Sequence, residues 1–145
     1  MRYSPERSIK DTEFKAALIV GGIEMARMAG QIWRLQALST GTSFDSINPA
    51  VNFILDYTGD FAGTYLMSWL GKDCIPWVSD KRKLDIATGI SAVTAIAIET
   101  VPIFGIPKTE DLFAAAAGIL AYRGLNWYLR KNLAANSQTP TTHYQ

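Results

Sequence analysis

Several long stretches of the chain carry few charged side chains, and four of them have the length of a helix. Residues 86–107 include a single charge, that of Glu99. A helix of this length spans roughly 30 Å, about the thickness of the hydrocarbon core of a bilayer. A helix of a water-soluble bundle would carry a charged stripe opposite its apolar stripe, and this segment has none. The pattern predicts four helices, over about residues 14–34, 49–71, 84–106 and 110–130.

The positive charges lie mainly on one side of such a four-span chain. Ten of the 14 Lys and Arg residues fall in the two terminal segments and the middle loop, against two in the other two loops. The ten are Arg2, Arg7, Lys10, Lys15, Lys72, Lys81, Arg82, Lys83, Arg130 and Lys131. This bias follows the positive-inside rule with both termini in the cytoplasm. The tryptophans lie at or just beyond the span ends, where amphipathic rings are favoured: Trp33, Trp69, Trp77 and Trp127.

We therefore predict an all-α, four-helix transmembrane bundle over residues 1–135, multi-pass in the cell (plasma) membrane, with a polar C-terminal tail over 136–145. The alternative is a soluble bundle of four buried helices. Asn48 followed by Pro49 predicts a capped start for the second helix. Thr109 is expected to cap the fourth, while residues 39–43 and 79–83 are expected in polar loops. No secretory signal peptide is expected.

Ionisable residues within the spans are the first functional candidates, because charges at membrane depth are costly. They form a predicted intramembrane polar network of Glu24, Arg27, Asp56, Asp60, Glu99 and Arg123. Arg27 is expected to lie level with Asp56 and Glu99 and to bind one of them through its planar guanidinium. The network has three interpretations: an ion-pair cluster that fixes helix register, a proton or cation path, or a contact with a partner subunit. A metal cluster built only from the carboxylates of Glu24, Asp56, Asp60 and Glu99 is a further alternative.

Small residues repeat at four-residue spacing on three of the predicted helices. Such repeats let helix backbones approach closely in a membrane. The predicted helix-packing positions are Gly22, Ala26, Gly30, Gly59, Gly63, Ala114 and Gly118.

The composition of the 145 residues excludes several classes of protein. Apolar residues make up 48%, charged residues 19% and the formal net charge is +1, so the chain is not disordered and has no case for binding nucleic acid. The lone Cys74 and His143 exclude a disulfide framework and metal sites built from cysteine or histidine. Without a usable histidine or a buried lysine, no nucleophile–base pair is expected. We expect no cofactor.

The last two predicted helices loosely resemble those of VanZ-like small membrane proteins. The resemblance lies in Glu99, Lys108 and an aspartate, Asp111, seven residues before Gly118. The family's glutamine and asparagine are replaced here by Pro102 and Ala115, and the aspartate–histidine pair expected near Asp60 is missing. The likeness covers about a quarter of the chain, and no family function is carried across.

In general character the chain is similar to the small accessory subunits of membrane enzyme complexes. A four-span chain without redox ligands is similar to the extra small subunits of copper membrane monooxygenases, notably the archaeal ammonia-oxidising type. This resemblance implies a non-catalytic accessory subunit whose partners are the lipid bilayer and other integral membrane subunits. The alternative is a self-contained membrane protein whose polar cavity passes a proton, an ion or a small solute.

Overall fold

A computed structural model describes residues 5–43, 48–100 and 108–137 of the chain. These residues form four α-helices: α1 (Pro5–Ser39), α2 (Pro49–Asp73), α3 (Asp80–Thr100) and α4 (Thr109–Ser137). The described part contains no β-strand. The predicted all-α, four-helix class is therefore confirmed.

The first connection follows from local chemistry. Gly41 has a φ of +92°, the left-handed conformation that glycine adopts without a Cβ clash. The amide of Thr42 donates to the carbonyl of Ala37 over 3.1 Å, and that of Gly41 to Leu38 over 3.2 Å, which completes a Schellman motif at the end of α1. The Asn48 side chain accepts a hydrogen bond from the amide of Ala50 over 2.9 Å. The predicted cap of α2 is thus present.

The helices extend beyond the apolar stretches that predict them. Residues 80–83, expected in a loop, form the first turn of α3, where the Lys83 amide donates to the Ser79 carbonyl over 2.9 Å. Lys72 lies within α2 rather than in a loop, and Arg34 lies within α1. Hydropathy marks where the apolar part of a helix ends, whereas charged residues with good helix propensity continue the helix itself.

Two expected features fall on residues outside the described ranges. The predicted end of the third helix near residue 106 lies there, as do positions 138–145 of the predicted tail. The first two tail positions, Asn136 and Ser137, belong to α4.

Neighbouring helices run antiparallel, and α2 packs against all three others. Its contact with α4, which runs parallel to it, is the most extensive, while α1 packs chiefly on α2. Gly118 of α4 explains the close approach, because a Cβ there would lie 2.2 Å from the Phe61 carbonyl oxygen of α2. Only glycine fits at this crossing.

The interior of the bundle contains small and polar side chains, and most large apolar side chains are exposed. The buried apolar residues are Ala17, Leu55, Ala62, Tyr65, Ala87, Ala115 and Tyr122. In the part of the chain that the structure describes, as many polar residues are buried: Glu13, Thr64, Ser68, Lys72, Thr88, Ser91 and Asn126. Averaged along the sequence, none of the helices in the described ranges is both long and apolar enough to cross a membrane.

Candidate functional site

One side of α1 faces the rest of the bundle and carries nearly all of the polar residues in the middle of that helix. The inward positions alternate in steps of four and three residues, the spacing of a seam between packed helices. They are Glu13, Ala17, Val20, Glu24, Arg27, Gln31 and Arg34, each buried or half-buried. The candidate site is the set of polar contacts that this seam makes with α2 and α4.

Arg27 pairs within its own helix and reaches across to the backbone of α2. Its guanidinium donates to both carboxylate oxygens of Glu24, over 2.8 and 2.6 Å, and to the Leu55 carbonyl over 3.3 Å. The Gln31 amide donates to the same carbonyl over 2.9 Å. The expected partners were Asp56 or Glu99. Glu24 lies three residues away on the same helix face, so it reaches Arg27 without drawing another helix closer.

Asp56 is bound by an arginine that lies outside the predicted network. The Arg34 guanidinium donates to the Asp56 carboxylate over 2.8 Å and approaches the Asn52 side chain at 3.4 Å. Both charged side chains are largely buried, with 14% and 30% of their surface exposed. This pair links α1 to α2 near the end of the bundle opposite to Lys72.

Asp60 and Glu99 line a cavity of about 100 Å³ between α2, α3 and α4. The remaining wall is built from small and apolar side chains, among them Gly63, Thr94 and Ala115. Within the described part of the chain, neither carboxylate makes a side-chain hydrogen bond or an ion pair. The two acids are therefore brought together without a neutralising cation bound to either one.

A buried ion pair at the other end of the bundle was missed by reasoning from the sequence. Lys72 of α2 donates to both carboxylate oxygens of Glu13 of α1, over 2.5 and 2.6 Å, and to the Asn126 side chain of α4 over 3.3 Å. Only 9% of the Lys72 side chain and 3% of the Glu13 side chain are exposed. The expectation that the chain has no buried lysine was wrong. Both Glu13 carboxylate oxygens contact the Lys72 nitrogen, so this lysine serves as the cation of an ion pair.

The aromatic surroundings of this ion pair explain its burial. The Lys72 ammonium lies 6.0 Å from the centre of the Tyr122 ring, and the Tyr65 ring meets Tyr122 edge-on at 5.3 Å. The Tyr122 hydroxyl is fully enclosed and has no hydrogen-bond partner among the described residues. One feature of the sequence could have indicated this ion pair: Glu13 and Asn126 lie on the inward sides of their helices.

Arg123 lies apart from the other predicted network residues. Its guanidinium donates to the Asp85 carboxylate and to the Thr88 hydroxyl of α3, both over 2.8 Å. About half of each charged side chain is exposed. The six predicted residues thus form separate groups: a Glu24–Arg27 pair, Asp56 bound to Arg34, the Asp60–Glu99 cavity and the Arg123–Asp85 pair.

Hydroxyl groups also link α2 to the helices α3 and α4. The Thr64 hydroxyl of α2 lies 2.9 Å from the Ala115 carbonyl oxygen of α4. The hydroxyl oxygens of Ser68 and Ser91 lie 3.0 Å apart between α2 and α3. Contacts of this kind join helices that have little apolar surface facing one another.

The predicted helix-packing residues separate into two sets. Gly30, Gly59 and Gly118 lie at helix contacts, where an added Cβ would come within 3 Å of Leu55, Arg27 and Phe61 respectively. The other glycines, Gly22 and Gly63, have no side chain or neighbouring helix within 4 Å of an added Cβ. Ala26 is exposed and Ala114 is half-buried.

In this interior, positively charged side chains bind negatively charged ones. Within the described ranges, no three His, Cys, Asp or Glu side chains come together in a way that could hold a metal ion. Glu24 and Asp56, considered above as carboxylate ligands, are instead bound by arginines. Comparison with protein-family models, curated proteins and solved structures gives no match to this chain.

Proposed function

We propose that the chain is a non-catalytic, four-helix membrane subunit that packs against larger integral membrane subunits. The observation that carries the proposal is the outward surface of α1. Between residues 18 and 35, every exposed residue is apolar: Leu18, Ile19, Gly22, Ile23, Met25, Ala26, Met28, Ala29, Ile32, Trp33 and Leu35. The polar residues of the same stretch face inward. A surface helix of a water-soluble bundle has the opposite arrangement.

The extent of this apolar surface suits a bilayer. Eighteen helical residues span about 27 Å, close to the thickness of about 30 Å of a hydrocarbon core. The exposed residues of α3 between 86 and 98 are also all apolar: Ile86, Gly89, Ile90, Val93, Ile96, Ala97 and Ile98. The mean hydropathy of consecutive residues includes the inward-facing charged side chains. Only the outward-facing side chains, however, would contact lipid or a partner.

Small residues on the outer side of α1 favour a protein partner over lipid alone. Gly22 and Ala26 are exposed and four residues apart, and an added Cβ at Gly22 would meet nothing within 4 Å. This G-x-x-x-A spacing lets a second helix approach closely, and α2, α3 and α4 do not use it. Gly30, which continues the predicted ridge, faces Leu55 of α2 instead.

The identity of the complex is proposed only from the general resemblance of a four-span chain without redox ligands to small accessory subunits. A copper membrane monooxygenase of the archaeal ammonia-oxidising type is the candidate, because such complexes contain extra small subunits without redox ligands. In that setting the chain binds no cofactor and acts by helix packing in the cell membrane.

The test is fractionation followed by affinity purification of the tagged chain from its native membrane in mild detergent. We expect the chain to stay in the membrane pellet after alkaline carbonate treatment and to bring down other integral membrane proteins in fixed ratio. Ala26→Phe, which fills the outer G-x-x-x-A surface, should release those proteins without changing thermal unfolding. Ala97→Phe on the exposed side of α3 is the matched control. Purification of the native chain as a monodisperse monomer would overturn the proposal.

One observation favours the second candidate function, passage of a proton, a cation or a small solute. The cavity between α2, α3 and α4 is lined by two carboxylates, those of Asp60 and Glu99. If this cavity is a path, Asp60→Asn and Glu99→Gln will each abolish flux in liposomes that contain the purified chain. Unchanged flux in both variants rules the path out.

A further inference from the structure

A groove of about 610 Å³ runs along the outside of the bundle between the start of α3 and the end of α4. Its apolar wall is formed by Leu84, Leu120 and Trp127, and its charged residues are Asp85, Arg123 and Arg130. Leu120 and Trp127 are 67% and 63% exposed, so the wall is continuous with the outer surface of α4. The volume lies within the range of about 300–1,000 Å³ that small-molecule sites occupy.

The two arginines of the groove differ in what binds them. Arg123 is bound by Asp85 and Thr88, so its charge is already compensated within the protein. Arg130 is exposed, and no side-chain hydrogen bond or ion pair involves it among the described residues. The guanidinium of Arg130 is therefore the cation that the groove offers to a ligand.

A second, smaller depression adjoins the groove and shares Arg130 with it. This depression measures about 160 Å³, and Lys10 of α1 and Lys83 of α3 also line it. Its acids are Glu13, which Lys72 binds, and Asp73. Lys10 of α1 and Arg130 of α4 thus place two cations where the groove meets the depression.

We propose that this groove binds an anionic phospholipid. The phosphate lies on Arg130 beside Lys10, and an acyl chain follows the wall of Leu120 and Trp127. Arginine binds phosphate through two parallel hydrogen bonds, and a tryptophan suits the boundary between headgroups and hydrocarbon. Basic pockets at the cytoplasmic ends of helices bind anionic headgroups for these reasons. The inference rests on the proposed membrane location.

The test compares lipid retention by the full-length chain in nanodiscs, measured by native mass spectrometry. The probes are phosphatidylglycerol and phosphatidylcholine in equal amounts. We expect the chain to retain phosphatidylglycerol preferentially and Arg130→Gln to reduce that preference about fivefold, the equivalent of about 1 kcal/mol for one basic residue near the surface. Arg130 is exposed and has no side-chain hydrogen bond or ion pair with another described residue, so this variant is expected to fold normally.

Lys15→Gln is the matched control, because it removes one exposed positive charge from the same end of the bundle but does not line the groove. It should leave the preference unchanged. Trp127→Ala should reduce retention of both lipids, because it removes the apolar wall. Equal effects of Arg130→Gln and Lys15→Gln would overturn the site and indicate attraction by net charge alone. Release of the chain by carbonate would instead overturn the membrane location, so the two failures are distinguishable.

Discussion

The Lys72 ammonium lies 2.5 and 2.6 Å from the two carboxylate oxygens of Glu13, although 59 residues separate them in the chain. This pair joins the beginning of α1 to the end of α2, and Asn126 adds α4 to the contact. Side chains of α1, α2 and α4 therefore meet at the Lys72 ammonium.

Removing one partner of this pair should destabilise the bundle strongly. Glu13→Gln leaves the buried Lys72 ammonium without a counter-charge, and breaking a buried pair in this way costs about 3–5 kcal/mol. The control is Asp85→Asn, which breaks the half-exposed pair with Arg123 and should cost about 1 kcal/mol or less. Thermal unfolding in detergent measures both. The double variant Glu13→Gln/Lys72→Met should recover much of the loss; equal midpoints for Glu13→Gln and the wild type would contradict the prediction.

Gly118→Ala should force α2 and α4 apart. The new methyl group would lie 2.2 Å from the Phe61 carbonyl oxygen and 2.4 Å from the Thr64 hydroxyl oxygen, and the carbonyl belongs to a helix backbone that cannot rotate away. We expect the free energy of unfolding to fall by about 3 kcal/mol, the upper end of the usual range for overpacked cores. Gly124→Ala, on the same helix with nothing within 4 Å, should be neutral or stabilising because alanine favours helix formation.

A charge on the outer side of α1 should impair membrane insertion. Met25 is 69% exposed and lies near the middle of the 18–35 stretch. In the proposed membrane location, Met25→Lys would place an ammonium in the hydrocarbon at a cost of about 2.5–3.5 kcal/mol. The fraction retained after carbonate extraction should fall. Gln36→Lys, also exposed but beyond this stretch, should behave like the wild type. If both lysine variants are retained equally, α1 does not face lipid at Met25.

Asp60→Asn should stabilise the bundle, whereas Asp56→Asn should destabilise it. The two aspartates are one turn apart on α2, but Asp56 is bound by Arg34 and Asp60 shares its cavity with Glu99. Neutralising Asp60 removes a carboxylate that no ion pair compensates among the described residues, while neutralising Asp56 removes the negative charge that the largely buried Arg34 binds at 2.8 Å. Unfolding midpoints of the two variants should move in opposite directions. A shift of both to lower temperature would indicate that Asp60 has a stabilising partner.

The lone cysteine reports the orientation of the bundle. Cys74 is exposed directly after α2, at the same end as the basic residues Lys10, Lys83 and Arg130. In the proposed membrane location, with both termini in the cytoplasm as the charge bias predicts, a membrane-impermeant maleimide should label it in inverted vesicles and not in intact cells. The matched variant Cys74→Ser/Thr42→Cys moves the thiol to the exposed turn after α1, where labelling should occur in intact cells. The reverse result would place both termini outside the cell.

The number and class of the helices in the described ranges followed from stretches with few charges, and the capped start of α2 followed from Asn48 and Pro49. The pairing of charged side chains did not follow from the sequence. The position of a residue along a helix does not show which neighbouring helix its side chain faces. Arg27 and Asp56 lie at similar depth, yet each has a partner on α1, Glu24 for the first and Arg34 for the second. The Glu13–Lys72 pair was missed because both residues lie outside the apolar stretches, where a helix was not expected to continue.

The inward-facing polar residues of α1 also affect which positions of the chain can be substituted during evolution. In most globular domains the apolar residues change slowly and the charged ones change freely. Here Ile19, Met25 and Ile32 could each be exchanged for another large apolar residue, because each is exposed. Glu13, Arg27 and Arg34 each have a bound partner whose charge would otherwise be left uncompensated. Among relatives of this chain, the charged positions are therefore expected to vary least, so searches weighted toward hydrophobic positions would miss them.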